Sequence, residues 1–132
     1  MPVLDSGLLI QLEQGKAPAR KALERLLAEG NPLSLPVQAA TEYLAGVEDK
    51  VAELASLHTA FFVVHSSDAQ ALETARLVDQ TVRRGIKPRW TDAAIAAVAV
   101  LEGTYVVTTN KRHFTQLGVP AWNYETEEEP PR

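Results

Sequence analysis

Short apolar runs alternate along this chain with longer stretches in which apolar side chains recur every three to four positions. Val3-Leu4 reads as a short buried strand that turns at Asp5-Ser6-Gly7, after which Leu8, Leu9, Ile10 and Leu12 open a helix. Pro18 suits the first turn of a second helix, where Ala19, Ala22, Leu23, Leu26 and Leu27 keep helical spacing until Gly30-Asn31-Pro32 stops it. The alternating Leu33-Ser34-Leu35-Pro36-Val37 predicts a strand. Ala39, Ala40, Tyr43, Leu44 and Val47 predict a helix carrying Glu42, and Val51, Leu54, Ala55 and Leu57 predict another. Residues 61–64 are aromatic and β-branched, a strand broken by His65-Ser66-Ser67-Asp68. Ser67 then caps a long helix with the stripe Ala71, Leu72, Ala75, Leu77, Val78 and Val82, ending at Gly85. After a loop over 86–90, Thr91-Asp92 opens a nearly all-apolar, small-residue helix over 93–101, closed at Gly103. A strand over 104–109, a short helix over 111–117 and a last strand over 119–122 follow.

The predicted order is therefore β-α-α-β-α-α-β-α-α-β-α-β. Strands alternating with helices imply an α/β fold, a mostly parallel five-stranded sheet covered on both faces. In such sheets sites lie beyond the carboxyl ends of the strands. That rule selects Asp5 after the first strand, Glu42 just past the second, Asp92 opening the helix that feeds the fourth, and Asn110 immediately after the fourth. An acid in the first turn of a helix is commonplace, so Glu42 and Asp92 are weak signals singly. Asp5 is stronger, because a charge written between Val-Leu and Leu-Leu-Ile is costly unless it is paired, hydrogen-bonded or metal-bound.

Composition narrows the chemistry. At 132 residues and 14.4 kDa the chain suits one domain, and its 45% apolar and 23% charged residues are those of a globular protein. It has no cysteine, which excludes disulfides, thiolate metal sites and a Cys nucleophile and leaves oxygen or imidazole to hold any metal. Four of the 17 acidic residues, Glu125, Glu127, Glu128 and Glu129, lie in the last eight positions, so the body over 1–124 is close to neutral. The expected organisation is one domain over 1–124 and an acidic, disordered tail over 125–132. The N-terminus lacks a basic leader, and no apolar stretch approaches the ~18–20 residues of a membrane span, so a cytoplasmic protein without a membrane partner is expected. Three converging acids would repel one another and raise each other's pKa, and a divalent cation relieves this; oxygen ligands select Mg²⁺ or Mn²⁺.

Four blocks then match a family in order and spacing: Val3-Leu4-Asp5-Ser6-Gly7-Leu8-Leu9-Ile10, Thr41-Glu42-Tyr43-Leu44-Ala45-Gly46, Thr91-Asp92-Ala93-Ala94-Ile95-Ala96-Ala97-Val98-Ala99, and Val106-Val107-Thr108-Thr109-Asn110-Lys111-Arg112-His113-Phe114. They resemble the signature blocks of PIN-domain ribonucleases, specifically the VapC toxins of toxin–antitoxin pairs, over residues 2–122. The resemblance implies a PIN-like three-layer α/β/α fold. It also implies a Mg²⁺-dependent endoribonuclease in which Asp5, Glu42 and Asp92 are catalytic and hold the metal. Hydrolysis would leave a 5′-phosphate and a 3′-hydroxyl, with a VapB-like antitoxin as partner and a homodimer as the assembly. The surplus apolar helix surface of Leu8, Leu9, Leu12, Leu44, Val47 and Val51 points to the same dimer.

Two departures from the pattern change the expectation. Ser6 replaces a common Thr and keeps the hydroxyl. Asn110 stands at the fourth acidic position, with His113 where many relatives carry an Asp, so Ser6 and Asn110 are expected as outer or weak ligands and one metal as the default. Arg89, Lys111 and Arg112 flank the acids as candidate RNA contacts, while Trp90 reads either as a packed residue or as a base-stacking one. His58 and His65 form no metalloprotease pattern, and no phosphate-loop, dinucleotide or nucleophile-elbow motif occurs. A phosphoacceptor domain lacks its acidic pair here, and a haloacid-dehalogenase-type phosphatase lacks the Asp that Gly7 replaces. The remaining rival is a catalytically silent module that still binds an antitoxin or RNA.

Overall fold

In the computed structural model, which describes residues 1–131, the apolar runs become five strands: β1 (Val3–Leu4), β2 (Ser34–Pro36), β3 (Phe62–Val64), β4 (Val106–Thr108) and β5 (Ala121–Asn123). Between them lie α1 (Ser6–Glu13), α2 (Ala17–Ala28), α3 (Val37–Leu44), α4 (Lys50–Ala60), α5 (Asp68–Arg83), α6 (Trp90–Glu102) and α7 (Lys111–Gln116). The element order is the predicted one. All four strand pairings are parallel and the sheet runs β3-β2-β1-β4-β5. β1, the shortest strand, is central and fully buried, which its unbroken Val-Leu requires.

This order fixes where a site can be. From β1 the chain steps outward to β2 and β3, then crosses back to β4 on the other side of β1. Right-handed crossovers place the two sets of connections on opposite faces, giving a three-layer α/β/α arrangement whose chain direction switches between β1 and β4. A crevice opens there, beyond the carboxyl ends.

α6 carries Asp92 to that crevice. Its small buried face, Ala93, Ile95, Ala96, Ala97, Val98 and Ala99, lets it lie close to β1 and β4, and Gly103 ends it in the left-handed conformation at φ 66°. At the other end of the helix the fully buried Ser34 hydroxyl of β2 bonds both oxygens of Glu102, at 2.9 and 2.8 Å. That bond ties the C-terminal end of α6 to β2. Ten residue steps at ~1.5 Å each set Asp92 about 15 Å from that anchor.

Three expectations change. The buried face of α5 is Gln70, Leu77, Val78 and Thr81, whereas Leu72 is 74% and Val82 55% exposed. Gln70 is tolerated inside because its amide bonds Ala94 O and Gln38 Oε1, both at 3.0 Å, and Thr81 because its hydroxyl bonds Leu77 O at 2.7 Å. Leu8 and Leu9 belong to the core, not to surplus surface. Leu12, Leu44 and Val47 pack against it, leaving Val51 as the open member of that set. Lastly, composition predicts a disordered tail, but Glu127 bonds Lys111 Nζ and Asn123 N and its carbonyl accepts from Trp122 Nε1, while Arg25 holds Glu128 O and the Glu129 carboxylate. Composition cannot see these cations, which come from elements distant in sequence; Arg132 lies outside the described residues. Among the described residues no helix is long and apolar enough to cross a membrane.

Candidate active site

Asp5 ends β1 and caps α1, and both roles follow from its position one residue past a buried strand. Its backbone N–H continues the sheet to Val107 O at 3.1 Å, while its side-chain Oδ1 accepts from Ser6 N at 2.8 Å. Oδ2 accepts from the Thr108 hydroxyl at 2.8 Å, and that hydroxyl in turn accepts from Asn110 N at 2.9 Å. Asp5 is 4% exposed. Burial pushes its carboxyl above the usual range; the Thr108 and Ser6 bonds oppose this, Asp92 adds to it, and Arg89 offsets part.

Glu42 and Asp92 face the same crevice from two other elements. Burial raises the Glu42 carboxyl first, then the negative charges of Asp5 and Asp92, against Arg89 and a hydrogen bond from Ser6. The charge of Asp92 acts on Asp5, and both act on Glu42, so these three acids, 37 and 50 residues apart in sequence, lie near one another at the same edge of the sheet. Asp92, buried in the first turn of α6, has Oδ2 at 3.1 Å from His113 Nδ1 and 3.9 Å from Arg89 Nε. Neither contact is aligned as a hydrogen bond. Asp92 Oδ2, His113 Nδ1 and Glu42 Oε1 are all buried without a hydrogen-bond partner.

Among the described residues, no three His, Cys, Asp or Glu side chains stand as a ready-made ligand set. The donor chemistry nevertheless fits a hard dication. Two acids of the cluster each bury an unpartnered oxygen, a costly arrangement that an oxygen-loving cation relieves. Asp5 is held rigid by two donors and keeps lone pairs for a third partner.

The other sequence candidates divide. Ser6 reaches Glu42 and, through its N–H, Asp5. Asn110 is exposed and contributes its backbone N–H, which orients Thr108. Arg89, named from sequence as flanking the acids, stands beside Asp92 with its side chain largely exposed, and its charge reaches Asp5 and Glu42. Lys111 is paired with Glu127 of the tail at 2.9 Å, and Arg112 is exposed on α7. Sequence reasoning passed over Thr108. Its signal was a Thr at the carboxyl end of a strand predicted to lie beside the site.

A family model described as PIN domain matches residues 3–119, a span that contains Asp5, Glu42, Asp92 and Asn110. The chain belongs to the PIN domain family. Solved structures agree on the fold. FitAcB from Neisseria gonorrhoeae superposes on this PIN domain with a TM-score of 0.81 at 18% identity, covering 96% of this chain and 100% of that one. DNA-bound VapBC from Salmonella typhimurium gives 0.78 at 20%, covering 94% and 99%. Mycobacterium tuberculosis VapC20, described as a Sarcin-Ricin loop cleaving toxin, gives 0.65 at 20%, covering 99% and 100%. No curated protein is significantly similar to this PIN domain in sequence.

Proposed function

We propose that this PIN domain is a divalent-metal-dependent endoribonuclease, the toxin of a toxin–antitoxin pair. The observation that supports the reading is that Asp5, Glu42 and Asp92 lie near enough at the switch-point edge for their charges to act on one another, with carboxylate oxygens of Glu42 and Asp92 buried without a hydrogen-bond partner. The described activity of VapC20 and the complexes formed by VapBC support the same function and an antitoxin partner.

Asp5, Glu42 and Asp92 would hold Mg²⁺ or Mn²⁺. When bound, the ion lowers the pKa of water and neutralises charge growing on phosphate oxygens. The chain's own residues do the rest. Thr108 and Ser6 N–H lock the Asp5 carboxylate in one orientation. Glu42, whose proton affinity is raised, keeps Oε1 open to orient and deprotonate a water. Arg89, largely exposed beside Asp92, is placed to draw in the RNA phosphate that three acids would otherwise repel. Arg112 extends the positive surface, and Lys111 joins it once released from Glu127. Ser6 steadies Glu42. Asn110 acts as a weak, uncharged ligand, which makes one ion the working complement.

The active form in this reading is a cytoplasmic homodimer. Val51 and Leu54, exposed at 83% and 37% on α4, support a contact surface there.

The test is cleavage of RNA by the purified protein with Mg²⁺, with Mn²⁺ and with chelator. Metal-dependent products bearing 5′-phosphates support the proposal. A protein that binds RNA or antitoxin but cuts in neither metal is the silent module that Asn110 favours.

A further inference from the structure

A second concave feature on the same carboxyl edge of the sheet, two strands from β1, is not acidic. Trp90, 67% exposed at the start of α6, stands two residues before Asp92, and Gln38 lies one helical turn before Glu42 on α3. Together with Ser66, Gln70, Thr74 and Ala94 they line a cleft of about 300 Å³, beyond the carboxyl end of β3. This is the small end of the ~300–1,000 Å³ range of ligand clefts. No charged side chain lines it.

The polar groups in the cleft are ordered by one chain of hydrogen bonds. Gln70 Nε2 spends both hydrogens, on Gln38 Oε1 and Ala94 O, so its remaining offer is the acceptor Oε1. Gln38 Nε2 gives one hydrogen to Ser66 Oγ at 3.1 Å and keeps the other, and Ser66 keeps its hydroxyl hydrogen. Ser67, whose hydroxyl accepts from Gln70 N, keeps its hydrogen as well, so the cleft presents the Gln70 acceptor and donors on Gln38, Ser66 and Ser67 beside an exposed indole face.

We infer that this cleft is a nucleobase pocket that reads one base of the RNA next to the bond being cut. This rests on the ribonuclease reading. Uncharged donors and acceptors beside an aromatic face match a heterocyclic base, whose edge offers both kinds of group and whose plane stacks on indole. A phosphate or a carboxylate would find no cation there. Position adds the second argument: its walls share α3 with Glu42 and α6 with Asp92, so a base held there lies within a nucleotide or two of the acids.

Two experiments test it. In a randomised RNA pool with mapped cuts, the parent should show a base preference at one position flanking the cut. Gln38→Ala should flatten that preference, and Trp90→Ala should lower cleavage of all sequences by about 5- to 150-fold, from the ~1–3 kcal/mol of one base–aromatic stack. A preference unchanged in Gln38→Ala, or undiminished cleavage by Trp90→Ala, overturns the inference. Independently of cleavage, Trp90 is the exposed one of two tryptophans, Trp122 being 2% exposed. Free nucleosides should quench its emission saturably, and Gln38→Ala should weaken that quenching several-fold. No quenching by any of adenosine, guanosine, cytidine or uridine overturns the inference, as does quenching by an apolar peptide in their place, which assigns the cleft to a protein partner. If the parent cuts no RNA, the proposed function fails while the nucleoside titration still decides the cleft.

Discussion

Thr108 and Asp5, 103 residues apart in the chain, share a buried hydrogen bond of 2.8 Å at the carboxyl edge of the sheet. The bond couples two adjacent parallel strands at the position where the fold gathers negative charge, and it opposes the burial that pushes the Asp5 proton on. Thr108→Val keeps the shape and removes the donor. Stability at neutral pH should fall by about 1–3 kcal/mol, read by chemical denaturation, because a buried carboxylate loses a partner. More Mg²⁺ should also be needed for half-maximal cleavage.

Asp5→Asn should cut RNA cleavage on the order of 100-fold or more while leaving the fold intact. In metal-free buffer it should also stabilise the protein. The folded-state pKa of Asp5 lies above its ordinary value of 3.8, so between the two the folded protein binds more protons than the unfolded chain and stability falls as pH rises through that window. The parent, with Glu42 shifted the same way, should therefore lose thermal stability from acidic to neutral pH, and Asp5→Asn should lose less. An equal loss in both would show that the Asp5 charge is not under strain.

Asn110→Asp restores a charge that the resemblance leads one to expect. The amide offers a metal only its carbonyl oxygen, so the charged variant should lower the Mg²⁺ concentration for half-maximal cleavage. In the parent, Mn²⁺ should support cleavage better than Mg²⁺, and the gain should be larger if His113 lends its nitrogen. A midpoint unchanged or raised in Asn110→Asp would place residue 110 outside the coordination sphere.

Glu127 occupies Lys111, so under the proposed function the tail would compete with RNA for that cation. Removing residues 125–132 should free Lys111, tighten RNA binding at low salt and steepen the salt dependence by roughly 0.7 in the log–log slope, the value of one more phosphate contact. The pair holds the Glu127 carboxyl below its ordinary 4.5, so the docking it supports is complete above that value and lost as pH falls through the lowered folded-state pKa. Hydrogen exchange of the Trp122 indole N–H, which donates to Glu127 O at 3.0 Å, reads that release directly.

Light scattering at micromolar concentration should give the mass of a dimer, and Val51→Asp combined with Leu54→Asp should shift it to the monomer without loss of fold, since both side chains face solvent in the single chain. A parent that stays monomeric counts against the assembly.

The sequence by itself determined the order of all twelve elements, the class of sheet and three of the acids at its edge. These follow from local rules: apolar period, caps such as Ser67, stops such as Gly103, and the cost of an Asp written into a buried strand end. The tertiary structure alone decided which face of α5 turns inward. Spacing favoured Leu72 and Val82, but Gln70 and Thr81 could be buried once their hydrogen bonds were met by Ala94, Gln38 and the backbone of Leu77. It also decided the partners of the charges: Thr108 for Asp5, Arg89 and His113 beside Asp92, Glu127 on Lys111. Pairing depends on where chain-distant side chains meet, and a one-dimensional pattern carries periodicity but no distances across a sheet.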